Sequence, residues 1–322
     1  MNNEINILIL SCGTRNKIVE YFKETLDGRG KIIATDCNDL APALYEADEY
    51  YIVPRITEDN YLDKIFDICK KEKISAVLSL IDPELSILAK EKKKFLEIGV
   101  KPLVSDYEVV ENCYNKYDFY QTLKAKDFPT VETFNNLDDF NSAKKLGKID
   151  FPVFVKPVQG SASIDINKVN NQAELEVLFA KHDDLIVQEF MSGQECGADI
   201  YIDFISGKVI QIYTKEKILM RAGETDKSVS FENKKLFELL EKFVKCQAYI
   251  GAIDVDFFEK DGEYYISEVN PRFGGGYPHT HEAGCNYMEY IINNLLGLSN
   301  KSVIGEYEVG TYMMKYNEIM MK

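Results

Sequence analysis

Along the first third of the chain, short apolar runs alternate with stretches whose apolar residues recur every three or four positions. Residues 5–10 (Ile-Asn-Ile-Leu-Ile-Leu) form one such run, and 17–26 carry helical periodicity. Runs at 32–35, 50–53, 76–80 and 102–104 predict further strands, with amphipathic helices at 61–71 and 84–96 between them. Strands alternating with helices predict a parallel, doubly wound α/β sheet whose ligand edge lies at the carboxyl ends of its strands, near Ser11, Asp36 and Asp82. From Lys116 the texture changes. Helices are expected at 116–126, 137–146, 172–182, 234–248 and 286–296, and strands at 131–134, 151–156, 185–189, 196–204 and 208–217. Two more strands flank Asp261-Gly262. This second pattern is α+β with antiparallel pairing. The reading divides the chain into an α/β domain at 1–110, an α+β domain at 111–298 (halves 111–190 and 191–298), and a tail at 299–322 with a strand near 309–316.

Composition narrows the function classes. Of 322 residues, 45% are hydrophobic and 28% charged, as in an ordinary globular protein. No apolar run is long enough for a membrane span, and the first residues have no basic leader, so a cytoplasmic protein with no membrane partner is expected. Seven scattered cysteines without a Cys-x-x-Cys pair suit reduced thiols and not a zinc site. A net charge of −15 argues against nucleic acid as a partner. It also requires that any anionic ligand be met by local cations or a metal.

The segment from Asp254 to Arg272 carries the sharpest chemistry. Residues two apart on a strand share a face, so Glu268 and Asn270 point the same way, with Arg272 just beyond. Hard cations such as Mg²⁺ take oxygen ligands of this kind, commonly alongside substrate phosphates. Asp256 completes the set only if the hairpin register allows it. A plain two-residue turn at Asp261-Gly262 would set Val255, not Asp256, opposite Glu268, so either an odd loop or a bulge is required, and a three-residue loop is expected. Elsewhere, Lys156 ends an apolar strand and is followed by Gly160-Ser161-Ala162-Ser163, small residues that let backbone amides approach a phosphate. The strand end Glu189-Phe190-Met191 can present backbone groups to a purine edge, and Glu195 can accept from ribose hydroxyls. Each of these motifs also has a bland reading as surface turn or solvated charge. Lys215, Lys217 and Arg221 read either as a flexible cationic loop over phosphates or as a solvated run. His279 and His281 lack a third soft ligand and read as polar wall or substrate contact.

Taken in order, Lys116, Val155-Lys156-Pro157 with Gly160–Ser163, Gln188-Glu189-Phe190-Met191, Glu195, Arg221, Asp256 and Glu268-Val269-Asn270-Pro271-Arg272 resemble the ATP-grasp superfamily. The likeness is to the synthetase halves of carbamoyl phosphate synthase large subunits and to stand-alone carboxylate–amine ligases, and it spans nearly the whole chain. The resemblance implies an N-terminal pre-ATP-grasp domain, ATP and Mg²⁺ (with Mn²⁺ as a substitute), and a role for each residue. Lys116 and Lys156 would contact nucleotide phosphates under a loop containing Gly160, Ser161 and Ser163. Glu189, Phe190 and Met191 would form the adenine hinge, and Glu195 would take the ribose. Asp256, Glu268 and Asn270 would hold the metal. Lys156, Arg221 and Arg272 would serve the transferring phosphoryl group.

The function expected from the resemblance is ATP-dependent joining of a small-molecule carboxylate to an amine through an acyl phosphate. A carbamoyl-phosphate-synthase-like subunit using bicarbonate and ammonia is one alternative, and a non-catalytic ATP-binding regulator is another. A homodimer is compatible with the resemblance; a glutaminase partner is not indicated. The acceptor is expected at the N-terminal domain's strand ends, among Arg15, Asp36, Asp82 and Glu84, with residues 274–281 opposite and His279 among them.

Overall fold

The computed structural model describes residues 4–160 and 166–322. The expected Ser161 and Ser163 lie outside the described residues. Five parallel strands come first: Asn6–Leu10 (β1), Ile32–Asp36 (β2), Glu49–Ile52 (β3), Ile74–Ser79 (β4) and Lys101–Pro102 (β5), in the order β3-β2-β1-β4-β5. The strand order reverses between β1 and β4, so the crevice at their carboxyl ends receives the loop after β1 and the start of the helix after β4. Gly13 and Arg15 lie in the first, and Asp82 opens the second. The predicted helix at 84–96 is two helices, Asp82–Lys90 and Lys92–Glu97, and a further helix at Tyr107–Tyr114 was not anticipated.

A small antiparallel sheet follows, built from Thr133–Phe134 (β6), Val153–Pro157 (β7), Asn167–Val169 (β8) and Leu185–Glu189 (β9), ordered β6-β9-β7-β8. One face buries Val153, Val155 and Val187 against Phe140 and Leu175 of the helices Leu137–Lys145 and Gln172–Phe179. Alternation along β7 therefore turns Lys156 to the opposite face.

The large sheet contains Gln194–Ile202 (β10), Val209–Arg221 (β11), Glu224–Phe231 (β12), Gly251–Lys260 (β13), Glu263–Asn270 (β14) and Tyr312–Met314 (β15), ordered β14-β13-β10-β11-β12-β15. Its two faces differ in chemistry. Ala198, Ile200, Ile212, Ile253, Val255 and Phe257 pack against Phe119 and Leu123 of helix Lys116–Ala125 and Leu236, Leu240 and Phe243 of helix Lys234–Val244. Each fully buried side chain of this kind contributes about 1.5–3 kcal/mol relative to exposure. The intervening residues line the other face and are largely polar. β12 occupies a segment read from sequence as flexible loop, and its pairing with β11 turns that segment into a hairpin. No helix among the described residues is long and apolar enough to cross a membrane.

The hairpin of β13 and β14 corrects the expected three-residue loop. Lys260 pairs with Glu263, leaving a two-residue turn in which Asp261 and Gly262 have φ of 55° and 78°. The register shifts further along: Phe257 pairs with Ile266 and Asp256 with Glu268, so Ser267 is an extra residue, a β-bulge. The bulge reverses the side-chain parity of β14, keeping Ile266 in the apolar layer and putting Glu268 on the polar face beside Asp256. Both turn residues occupy the left-handed region that a primed hairpin turn requires, and glycine adopts it without strain. Gly262→Val should lower stability by roughly 1–2 kcal/mol in urea unfolding, and an unchanged midpoint would show that the turn tolerates a side chain.

Candidate functional site

The polar face of the large sheet is a lattice of paired charges. β14 contributes Glu268 and Asn270, β13 contributes Asp254 and Asp256, β10 contributes Glu195 and Asp199, and β11 contributes Lys215 and Lys217. Lys217 donates to Asp256 at 2.6 Å and to Glu195 at 3.0 Å, with 4% of its side chain exposed. Burial works against its charge, but Asp256 and Glu195 outweigh that and hold its pKa above the ordinary lysine value. Burial pushes the Asp256 carboxyl up, Lys217 pulls it back, and Asp254 and Glu195 add to the upward push. Deeper in the same face, Lys215 pairs with Asp199, whose carboxylate also accepts from Thr280.

The small sheet closes over this face. Lys156 reaches from β7 to Glu268 at 3.7 Å, a direct charge contact between the two sheets. Burial would raise Glu268, yet Lys116, Lys156, Lys217 and Arg272 together hold it below its usual value. Lys116 stands at the first position of a helix whose Asn115 cap accepts from Tyr117 and Asp118, both at 3.1 Å. Its backbone donates to Val158 at 3.0 Å and its ammonium to the Gly160 carbonyl, so it is tied to the loop that follows β7. Asp82, Cys113, Lys116, Gly160, Glu268 and Asn270 line one cavity at this junction.

Glu268 and Asn270, with Asp256 beside them, offer hard oxygen donors on one face, which suits Mg²⁺. Among the described residues no three Asp, Glu, His or Cys side chains converge to hold a metal by themselves. An ion here would therefore need further oxygens, as Mg²⁺ accompanying substrate phosphates has.

The remaining expected residues fall in several places. Glu189 closes β9, its amide donating to Glu132 at 2.9 Å, and Phe190 packs on Phe154 at 5.2 Å. Met191 is buried, and the segment leads directly into β10 and Glu195. Arg272 donates to Asp82 at 2.8 Å and lies 3.9 Å from Asp254. Arg15 pairs with Glu224 at 2.9 Å. Arg221 stands at the tip of the β11–β12 hairpin, 62% exposed and 3.4 Å from Asp226, on the rim and outside the charge lattice. Asp36 holds its own loop, accepting from Gly13 and Asn38, both at 2.9 Å.

Two expected acceptor residues are enclosed. Glu84 is fully buried and accepts from Tyr61 and Ser79, so it braces the N-terminal domain and presents nothing to a substrate. His279 is buried between Ser228 at 2.8 Å and Thr311 at 3.2 Å, and both ring nitrogens are engaged.

Sequence reading left Lys215 and Lys217 between a loop over phosphates and a solvated run, and missed Asp254 as a member of the site. Their alternation with apolar residues along β11 and β13 was the available signal; the local charge run on β11 masked it.

Burial, with Lys215 adding to it, lowers His279 from 6.5 to about 4. A folded value below the unfolded one means this contribution to stability is complete above pH ~6.5 and is lost as pH falls through 4. It amounts to roughly 3 kcal/mol. His279→Gln should therefore flatten the loss of stability between pH 6.5 and 4 in urea titrations. A pH profile matching the wild type would remove His279 as its source.

Comparison with known proteins identifies the family and the fold. Residues 7–103 match the family model described as PylC-like, N-terminal domain, and residues 113–276 match the one described as ATP-grasp domain. The arginine-specific carbamoyl phosphate synthase large chain of Geobacillus stearothermophilus is 24% identical over 283 residues, covering 84% of this chain and 26% of that protein. The α-aminoadipate–LysW ligase LysX of Saccharolobus solfataricus is 29% identical over 184 residues, 52% of this chain and 65% of that one. The chain thus spans between a quarter and two thirds of the length of these relatives. The biotin carboxylase domain of Hydrogenobacter thermophilus 2-oxoglutarate carboxylase, solved with MgADP, ADP and bicarbonate, superposes with a TM-score of 0.76 at 18% identity, covering 96% of this chain and 74% of that one. At that identity the likeness is one of fold.

Proposed function

The chain belongs to the ATP-grasp family, and on that footing we propose that it is an ATP-dependent carboxylate–amine ligase. The observation that carries the reading is the Lys156–Glu268 contact at 3.7 Å, which sets a phosphate-binding cation against a row of oxygen donors across one cleft. Lys116 and Lys156 meet the nucleotide's phosphates, the Glu189–Met191 link lies along the adenine, and Glu195 accepts from the ribose. Glu268, Asn270 and Asp256 would hold Mg²⁺, which when bound neutralises phosphate charge during transfer.

A carboxylate is a poor electrophile because it has no good leaving group. Transfer solves this: a substrate carboxylate oxygen bonds to the γ-phosphorus as the bond to the ADP oxygen breaks, giving an acyl phosphate. The amine, after yielding one proton to solvent, then attacks the acyl carbon. The C–N bond forms, the C–O bond to phosphate breaks, and a second amine proton leaves with the phosphate. Arg272, held by Asp82 and Asp254, faces the charge that accumulates on the acyl phosphate. Lys217 keeps Asp256 and Glu195 fixed relative to each other. Arg221 reaches a substrate only by leaving Asp226. The seven cysteines are unpaired, which suits work in a reducing cytoplasm.

Glu268→Gln and Asn270→Ala should each cut ATP-dependent phosphate release by about 100-fold or more and weaken Mg·ADP binding, with circular dichroism unchanged. The assay runs purified protein against panels of amino acids, dipeptides and bicarbonate. Full release in both variants would remove the metal assignment, and binding of ADP without release in the wild type under every panel would remove the ligase reading.

A further inference from the structure

Three buried polar atoms without partners gather where the N-terminal domain meets the end of β14: Arg15 Nη1, Arg272 Nε and Asp82 Oδ1. The side chains of Asp82 and Arg272 are 7% and 9% exposed. An unmet buried polar atom costs about 1–3 kcal/mol, so one cluster of three points to a missing partner. The residues belong together electrostatically: Arg15 is under the influence of Glu224 first, then Arg272, Asp254 and Asp82. Arg15 and Asp82 also sit past the carboxyl ends of β1 and β4, where the strand order reverses and open parallel sheets take ligands.

The loop after β14 is shaped around this cluster. A Cβ on Gly274 would fall 2.5 Å from the Asp254 carboxyl, and one on Gly275 would fall 2.8 Å from that of Glu224. Only glycines let the chain press this closely against both acids. Glu224 is in turn fixed from two sides, by Arg15 at 2.9 Å and Lys315 at 2.8 Å. Arg15 is thus held rigid through Nη2 while Nη1 stays uncommitted. Arg272 is likewise anchored through Nη2 on Asp82, whose Oδ1 stays open.

We propose that this seam binds the amine substrate and that the amine carries its own carboxylate, as an α-amino acid does. Arg15 Nη1 takes that carboxylate, and Asp82 Oδ1 accepts from the nitrogen. This assignment rests on the ligase reading and gives it a substrate class. The nitrogen held by Asp82 lies next to Arg272, the residue facing the acyl phosphate, so the nucleophile and its electrophile meet through one salt bridge. None of the three atoms touches solvent in the closed seam, so the substrate enters as the two domains part and replaces the missing partners as they close. A cation on one side and an anion on the other select against simple amines and against ammonia, each of which leaves Arg15 Nη1 unpaired.

The test is binding, with Mg·ADP present, of the free α-amino acids, their carboxamides and the matching simple amines, measured by calorimetry on wild type, Arg15→Gln and Arg15→Lys. At least one free amino acid should bind wild type ten-fold or more tightly than its carboxamide. Arg15→Gln should weaken the free acid ten-fold or more, shrink the acid-to-amide ratio below three and leave ADP affinity within two-fold; Arg15→Lys should recover part of the ratio. Thermal melting of each variant identifies one that fails to fold, and the Lys variant then carries the comparison. Equal binding of acid and amide by wild type, no amino acid binding at all, or an unchanged ratio in the variants would overturn the assignment. Failure of wild type to bind ADP would instead overturn the ligase reading, so the two failures are distinct.

Discussion

A lysine that is almost wholly enclosed must have its charge answered by neighbouring acids, and Lys217 is answered twice, by Asp256 and by Glu195. The large sheet imposes this. Its apolar face is sealed by two helices, so alternation turns Glu195, Asp199, Lys215, Lys217, Asp254 and Asp256, and with the bulge Glu268, onto the other face, over which the small sheet closes. There each must find a partner. The pairs formed, Lys217 with Asp256 and Glu195, Lys215 with Asp199 and Lys156 with Glu268, hold these carboxylates and ammoniums in fixed positions within one cleft. On the proposed function, that is a preorganised surface for a polyanion and its counter-ion.

The same constraint joins the two domains. Arg272 and Asp82 are 190 residues apart in sequence and 2.8 Å apart in space. One ends the strand that carries the oxygen donors, and the other begins a helix at the crevice of the parallel sheet. Arg15 and Glu224 make a second such bridge from the loop after β1 to the β11–β12 hairpin. On the proposed assignment, acceptor binding at this seam is coupled to the contact between the domains, because the residues proposed to touch the acceptor are the ones that hold the domains together.

Much of this was legible in the sequence, and the failures have physical causes. Ile253, Val255 and Phe257 alternate with Asp254 and Asp256 so plainly that the two-faced strand could be read directly. The parity break was legible too: Tyr264, Ile266 and Val269 are spaced by two and then by three, which marks a bulge at Ser267 and not an odd loop at the turn. Lys215 and Lys217 looked solvated because a local charge run carries no sign of its partners, and Asp256 lies 39 residues from Lys217. Glu84 was legible as a first-turn carboxylate, but its enclosure by Tyr61 and Ser79 depends on tertiary packing that local pattern does not encode. Arg15 and Asp82 were found because strand ends of a parallel sheet are predictable positions. Their unmet atoms were not, since satisfaction is a property of the whole packed seam.

The central claim is that the buried charges of the cleft stabilise one another as pairs, and a double-mutant cycle on Lys217 and Asp256 tests it most directly. Urea unfolding of Lys217→Met should show a loss of about 3–5 kcal/mol, because Asp256 and Glu195 are left buried without their cation. The Lys217→Met, Asp256→Asn double variant should lose less than the sum of the single losses by at least ~1 kcal/mol. Strictly additive losses would mean that Lys217 and Asp256 act independently, and the account of a pre-paired cleft would fail.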